Sequence, residues 1–301
     1  MKKLQIKIPK KNLRKKSKET SEKKVKKNRS TKSRNKVFGI RNKIIVCFLV
    51  PIVFMVIVGV SAYNKASEGM TEKFKETSVE TIKMMREYID MTNSFIKSEG
   101  MKYGASDNIS DYCSGKYIYS DMTKHAELSK NIQSEITAAQ MTNSFIQDIH
   151  IITPKGINIL STHITGKDGI YDEYMEEMAQ DGKNYATWVD AHNVLDAHLK
   201  QTDDEYILSY QLQHYSGNAM IVVDVKEEEI RTALSEIDLG AGSIVGMVTA
   251  QGKEIVCENE SSILQEGEPA FFGQEFYKTA YDNAEIMEDA TVVDYMGQEH
   301  M

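Results

Sequence analysis

Residues Ile44–Tyr63 read IIVCFLVPIVFMVIVGVSAY, twenty positions without a charge. At about 1.5 Å of rise per residue, such a run spans roughly 30 Å, the thickness of a bilayer's hydrocarbon core. It predicts a membrane-crossing helix. Pro51 removes one backbone hydrogen bond inside it, a defect that membrane helices tolerate as a kink. Val60-Ser61-Ala62 loosely fits a signal-peptide cleavage site. A signal core is only about 7–15 residues, however, and the tail before this run is too long for a leader.

Charge divides at the same place. Residues 1–43 hold 19 Lys/Arg against two acids, and the remainder holds 18 against 42. The positive-inside rule puts the basic side in the cytoplasm and everything after Tyr63 outside. Residues 1–43 have too few apolar positions to bury a core, so a disordered tail is expected. It serves as a topology signal or as a clamp on anionic lipids. No aromatic residue interleaves the cations of residues 1–36, and no nucleic-acid partner is expected. Of the three cysteines, Cys47 lies in the apolar run; Cys113 and Cys257 fall in different segments and are expected to be free thiols.

Beyond the membrane the period is first helical. Ile82, Met85, Ile89 and Ile96 form one stripe and Met84, Tyr88, Met91 and Phe95 a parallel one, predicting a long helix over 67–102 that Gly100 and Gly104 bring to an end. A second helix fits 120–140, with Leu128, Ile132 and Ile136 at steps of four and Asp121 near its start. The hexapeptide Met-Thr-Asn-Ser-Phe-Ile occurs at 91–96 and again at 141–146; the first copy reads as helix, the second as a helix-to-strand junction.

From 145 the period becomes two. Residues 145–152 and 157–162 form a predicted hairpin around Pro154-Lys155-Gly156, and residues 206–214 and 219–225 a second one around Ser216-Gly217-Asn218. A short helix is predicted at 171–179 and a charged one at 226–236. A third hairpin (242–250 with 253–258), a helix near 274–282 and a strand at 290–296 complete the chain. This order gives an α+β fold with antiparallel sheets and helices packed on one face. The expected division is tail 1–43, transmembrane helix 44–63, helices 64–144, a first sheet module 145–238 and a second module 239–301.

Three segments carry a family resemblance: IQDIHIITPKGINILST, ILSYQLQHYSGNAMIVVDVKEEEI and GSIVGMVTAQGKEIVCE. With the basic tail, single apolar run and long helix, they resemble the double-Cache sensor region of bacterial methyl-accepting chemotaxis proteins. The resemblance covers roughly residues 64–301. It implies two stacked PAS-like modules, membrane-distal and membrane-proximal, the second incomplete. It further implies ligand sensing in chemotaxis signal transduction at the cell membrane, a homodimer, and a signalling half that is absent from this sequence. A histidine kinase or cyclic-dinucleotide enzyme bearing the same sensor, or a stand-alone membrane-tethered binding protein, remains as an alternative. Amino-acid-sensing members carry an Arg two residues before a Trp. Here Trp188 is preceded at that position by Ala186, so the carboxylate fork is missing and a simple amino acid is not the expected ligand.

The candidate ligand site comprises Trp188, Asp190, His192, Tyr206, Ser209, Tyr210 and Asp224. Trp188, in a connection expected to lie over the first sheet, is either a stacking wall or core filling. Asp224 interrupts the apolar run IVVDV and needs a partner, either a ligand ammonium or a protein group. His150, His192, His198 and His214 lack metal-site spacing. No nucleophile elbow, phosphate loop or paired-carboxylate motif is present. Neither enzyme activity, nor a cofactor, nor a bound metal is expected.

Overall fold

The computed structural model describes residues 39–180, 182, 185–202, 204–240, 243–258, 270–275 and 277–278, and the backbone of 293–295 and 298–300. The basic tail, apart from its last few positions, and most of the helix expected at 274–282 lie outside the described residues. The chain divides into two units, Met1–Lys65 and Ala66–Met301.

Helix α1 (Ile40–Gly104) contains the apolar run, with Pro51 inside it. It is the one helix among the described residues long and apolar enough to cross a membrane, and its apolar window is fully exposed in the protein. In the second unit, Ile82, Met85 and Ile96 of the α1 stripe pack into the core and Ile89 is half-buried, while Met84, Met91 and Phe95 remain exposed. Gly100 is not a stop. A Cβ there would lie 2.8 Å from the Tyr210 ring, so glycine lets the helix sit directly on the sheet.

Two helices, one short and one long, follow α1. The sequence pattern gave no sign of α2 (Asp107–Cys113), which buries Ile109, Tyr112 and Cys113. Helix α3 (Met122–Thr142) begins at Asp121, whose side chain accepts from the Lys124 amide at 3.0 Å. That is a true N-cap. The second copy of the repeated hexapeptide spans the end of α3 and the start of β1, as expected.

The main sheet holds β1 (Ile146–Ile152), β2 (Leu160–Ser161), β3 (Ala186–Val189), β4 (Tyr206–Gln213) and β5 (Met220–Lys226), antiparallel throughout, in the order β2-β1-β5-β4-β3. Helices cover both faces, which corrects the one-faced expectation. On one face α1 and α3 meet Ile149, Ile151, Tyr210, Ile221 and Val223. On the other, α4 (Tyr171–Gln180) and α5 (Asn193–Leu199) meet Ile152, Met220 and Val222. The reason is written in β5, whose MIVVDV run is buried at every position: a strand covered on both sides needs no alternation.

Helix α6 (Glu227–Ser235) leaves the sheet directly and turns Ile230 and Leu234 inward. A second, two-stranded sheet pairs β6 (Ile244–Val248) with β7 (Glu254–Glu258), and Val245 and Ile255 join the same core as α1. Two further strands, β8 (Val293–Tyr295) and β9 (Gln298–His300), pair with each other. The architecture is therefore α+β, a long apolar helix with antiparallel sheets.

Candidate functional site

The seven candidate residues fall on two faces of the main sheet. Residues that alternate along a strand point to opposite sides. Val223 and Asp224 therefore diverge, and so do their register partners Tyr210 and Ser209. Trp188 is partnered with Tyr210, with ring centroids 5.2 Å apart, and faces α1. Asp224 faces α5. The single pocket expected between Trp188 and Asp224 does not form. Trp188 is also not on a lid: it belongs to β3, an edge strand.

Trp188 and Asp190 line a cavity of about 440 Å³. Its walls are Ile82 and Ile89 of α1, Leu208 of β4, Leu234 of α6 and Met247 of β6. Such a volume suits a small molecule. The polar lining is Arg86, Asp90 and Asn93 of α1 with Asp190, Thr249 and Gln251, and Asp190 accepts from the Thr249 hydroxyl and, at 3.4 Å, from the Lys253 amide. Asp190 thus sits at the seam between the main sheet and the β6–β7 turn. Tyr210 stands behind Trp188 and is nearly buried.

The opposite face holds a polar network. The Asp224 carboxylate, 0% exposed, meets three protein groups at 3.0 Å each: His150 Nε2, His192 Nε2 and Gln201 Nε2. Of the two readings left open by the sequence, a protein partner fills the role. His150 Nδ1 lies 2.8 Å from Ser161 Oγ. Ser161 Oγ also accepts from the His163 amide at 3.0 Å, and His150 Nε2–H donates to Asp224. His192 stacks on Tyr206, its Nδ1 2.9 Å from Asp196 Oδ1, and the Tyr206 hydroxyl donates to Asp196 Oδ2 at 2.8 Å. A register shift between Tyr206 and Leu208 turns Tyr206 to this face. Ser209 is fully buried here, its hydroxyl without a partner among the described residues.

The electrostatics follow the geometry. Burial opposes the charge on Asp224, but His192 and His150 outweigh it and hold the carboxyl far below the usual range. Burial likewise opposes a charge on His192, yet Asp224 and Asp196 push its pKa up to about 10. Burial raises the Cys113 thiol to about 12, leaving it inert.

Sequence reasoning missed the cavity walls supplied by α1 and β6, although the 82/85/89 stripe was visible. It also missed His150 and Gln201 as partners of Asp224. No family model matches the chain, nor does any curated protein or solved structure among those compared.

Proposed function

We propose that this chain is a membrane-anchored, extracytoplasmic small-molecule sensor of the double-Cache, chemoreceptor type, with its N-terminus in the cytoplasm and the second unit outside. The cavity walled by Trp188 is the observation that supports this reading. It touches α1, the edge of the main sheet and the β6–β7 sheet together, so a ligand there bears on three elements at once. A ligand that fits two arrangements of α1 unequally would shift their populations, and sensing requires nothing more. The main sheet with helices on both faces is the distal PAS-like module, and the β6–β7 sheet begins the proximal one. The reading includes no catalytic role.

The ligand class that suits this lining is a flat or compact apolar body stacked on Trp188, with a neutral or cationic head toward Asp190; Arg86 in the lining is paired with Asp90 at 3.7 Å. Trp188 is the only tryptophan in the chain, so its fluorescence reports occupancy directly. Amine, purine-like and small polar ring compounds should be titrated against the full chain in detergent micelles. A true ligand changes the Trp188 emission saturably and, at about 100-fold its Kd, stabilises the fold by about 2.7 kcal/mol. Met247→Ala weakens it. Asp224→Asn lowers overall stability but leaves ligand affinity unchanged, because Asp224 lies on the other face. Affinity lost with Asp224→Asn and kept with Met247→Ala would place the site in the wrong half of the sheet.

A further inference from the structure

We propose that Asp148, His163 and Glu205 form a binding site for one divalent transition-metal ion of the zinc(II) class. The three come from β1, the segment after β2 and the residue before β4. His163 Nδ1 lies 3.5 Å from Asp148 Oδ2 and 3.8 Å from Glu205 Oε2, and the three donor atoms all fall within 4.8 Å of one another. None of the three lines the Trp188 cavity. The site is independent of the proposed sensing function and reverses the expectation from histidine spacing.

Asp148 supplies a second observation. Its side chain is 97% buried, and its two carboxylate oxygens play different parts. Oδ1 accepts from Thr162 Oγ1 at 2.7 Å and Gln140 Nε2 at 3.1 Å. Oδ2 accepts no hydrogen bond from any described residue and points at His163. A carboxylate this deeply buried calls for a charged partner, and a divalent cation at Oδ2 supplies one.

The surroundings hold the donors as an outer shell holds metal ligands. Glu205 Oε1 is fixed by Thr202 Oγ1 at 2.9 Å, which leaves Oε2 for the shared point. The His163 backbone is fixed by Ser161 Oγ at 3.0 Å. Each residue is thus anchored through an atom other than its donor. His163 and Glu205 are partly exposed, and small rotations bring their donors to the roughly 2.0–2.2 Å that zinc requires, with a fourth position open to solvent. One imidazole and two carboxylates neutralise a divalent ion and favour zinc or a neighbouring first-row metal. Calcium takes about six to eight oxygens, more than this site offers.

The alternative occupant of the same geometry is an imidazolium held between two carboxylates. Zinc titration of the EDTA-stripped full chain in detergent micelles, in competition with a chromophoric chelator, separates the two. Wild type binds one equivalent. Loss of even an outer-shell partner costs about 10–100-fold in affinity, so His163→Ala and Glu205→Gln each weaken that equivalent at least about 10-fold. His198→Ala leaves it unchanged. Cobalt(II) gives d–d bands without thiolate charge transfer, which excludes Cys257 as the ligand. Far-UV circular dichroism verifies folding, and Glu205→Gln, nearly isosteric, carries the test if His163→Ala misfolds. No zinc bound to wild type, equal affinity in both triad variants, or a thiolate band with cobalt would each overturn the proposal.

Discussion

Asp224 concentrates three donors on one carboxylate, and His192 among them makes it a pH-dependent element of stability. Removing one partner of a buried charged group typically costs about 3–5 kcal/mol, and Asp224→Ala should lose that much in chemical denaturation. The pH profile is set by both partners. His192 has a folded pKa of about 10, above its unfolded value of about 6.5. Its contribution is therefore complete below about pH 6.5 and disappears as the pH climbs toward 10. Asp224 has a depressed folded pKa, so its contribution is complete above about pH 3.9 and fades as the pH falls below that. The melting temperature should be highest between about pH 4 and 6.5 and decline on the alkaline side. His192→Gln should lower the whole curve and flatten its alkaline limb. A wild-type melting temperature that stays level from pH 6.5 to 9.5 would mean that His192 is neutral in the fold. The sequence marked Asp224 as exceptional, one charge in an apolar strand. It could not name His150, 74 residues away, because that contact depends on strand order and register.

At the scale of elements, long periodic segments were legible and short ones were not. The stripes of α1 and α3 repeat over many turns, and the alternation of β4 is plain. Helices α2 and α5 are seven residues each, too short for a period to show, and depend on packing for their stability. Strand β3 has four residues at a sheet edge, two of them only half-buried, so no alternation separates it from a loop. Gly100 was misread for a related reason, whereas Gly104 does end α1. A helix-interior glycine can be a weak point or a contact, and only the neighbouring element tells which. Gly69 has nothing within 4 Å of its would-be Cβ, whereas Gly100 meets the Tyr210 ring at 2.8 Å. Gly69→Ala should stabilise by up to about 1 kcal/mol through helix propensity. Gly100→Ala gains the same propensity but overpacks a ring already held against Trp188, a cost of about 1–3 kcal/mol, and should be neutral to destabilising by about 2 kcal/mol. Thermal melts of the two variants side by side test this; equal stabilisation by both would show that α1 does not press on the sheet.

For the whole molecule, the unresolved account is the second apolar stripe of α1. The fold uses Ile82, Met85 and Ile96 of the first stripe as core. Met84, Tyr88, Met91 and Phe95 stay 62%, 38%, 64% and 51% exposed, although together they present a continuous apolar face. Their spacings of four, three and four residues are those of a heptad seam, which pairs with a second helix. The chemoreceptor resemblance implies a homodimer, and the same helix from a second copy would supply a self-complementary partner about a two-fold axis. Cysteine cross-linking of the full chain in detergent or nanodiscs measures this directly. Met84→Cys and Met91→Cys should each form an intermolecular disulfide under mild oxidation, because a disulfide needs Cα atoms about 4.4–6.8 Å apart and paired seams bring equivalent positions closest together. Lys97→Cys, exposed but well around the helix from the seam, should not. Replacing Met84 and Met91 together by Glu should leave the fold intact, since neither side chain is buried in it, and should abolish cross-linking through a reporter cysteine at Tyr88. Efficient cross-linking at Lys97 with none at Met84 or Met91 would assign the dimer to another face of α1 and leave this stripe to a different partner.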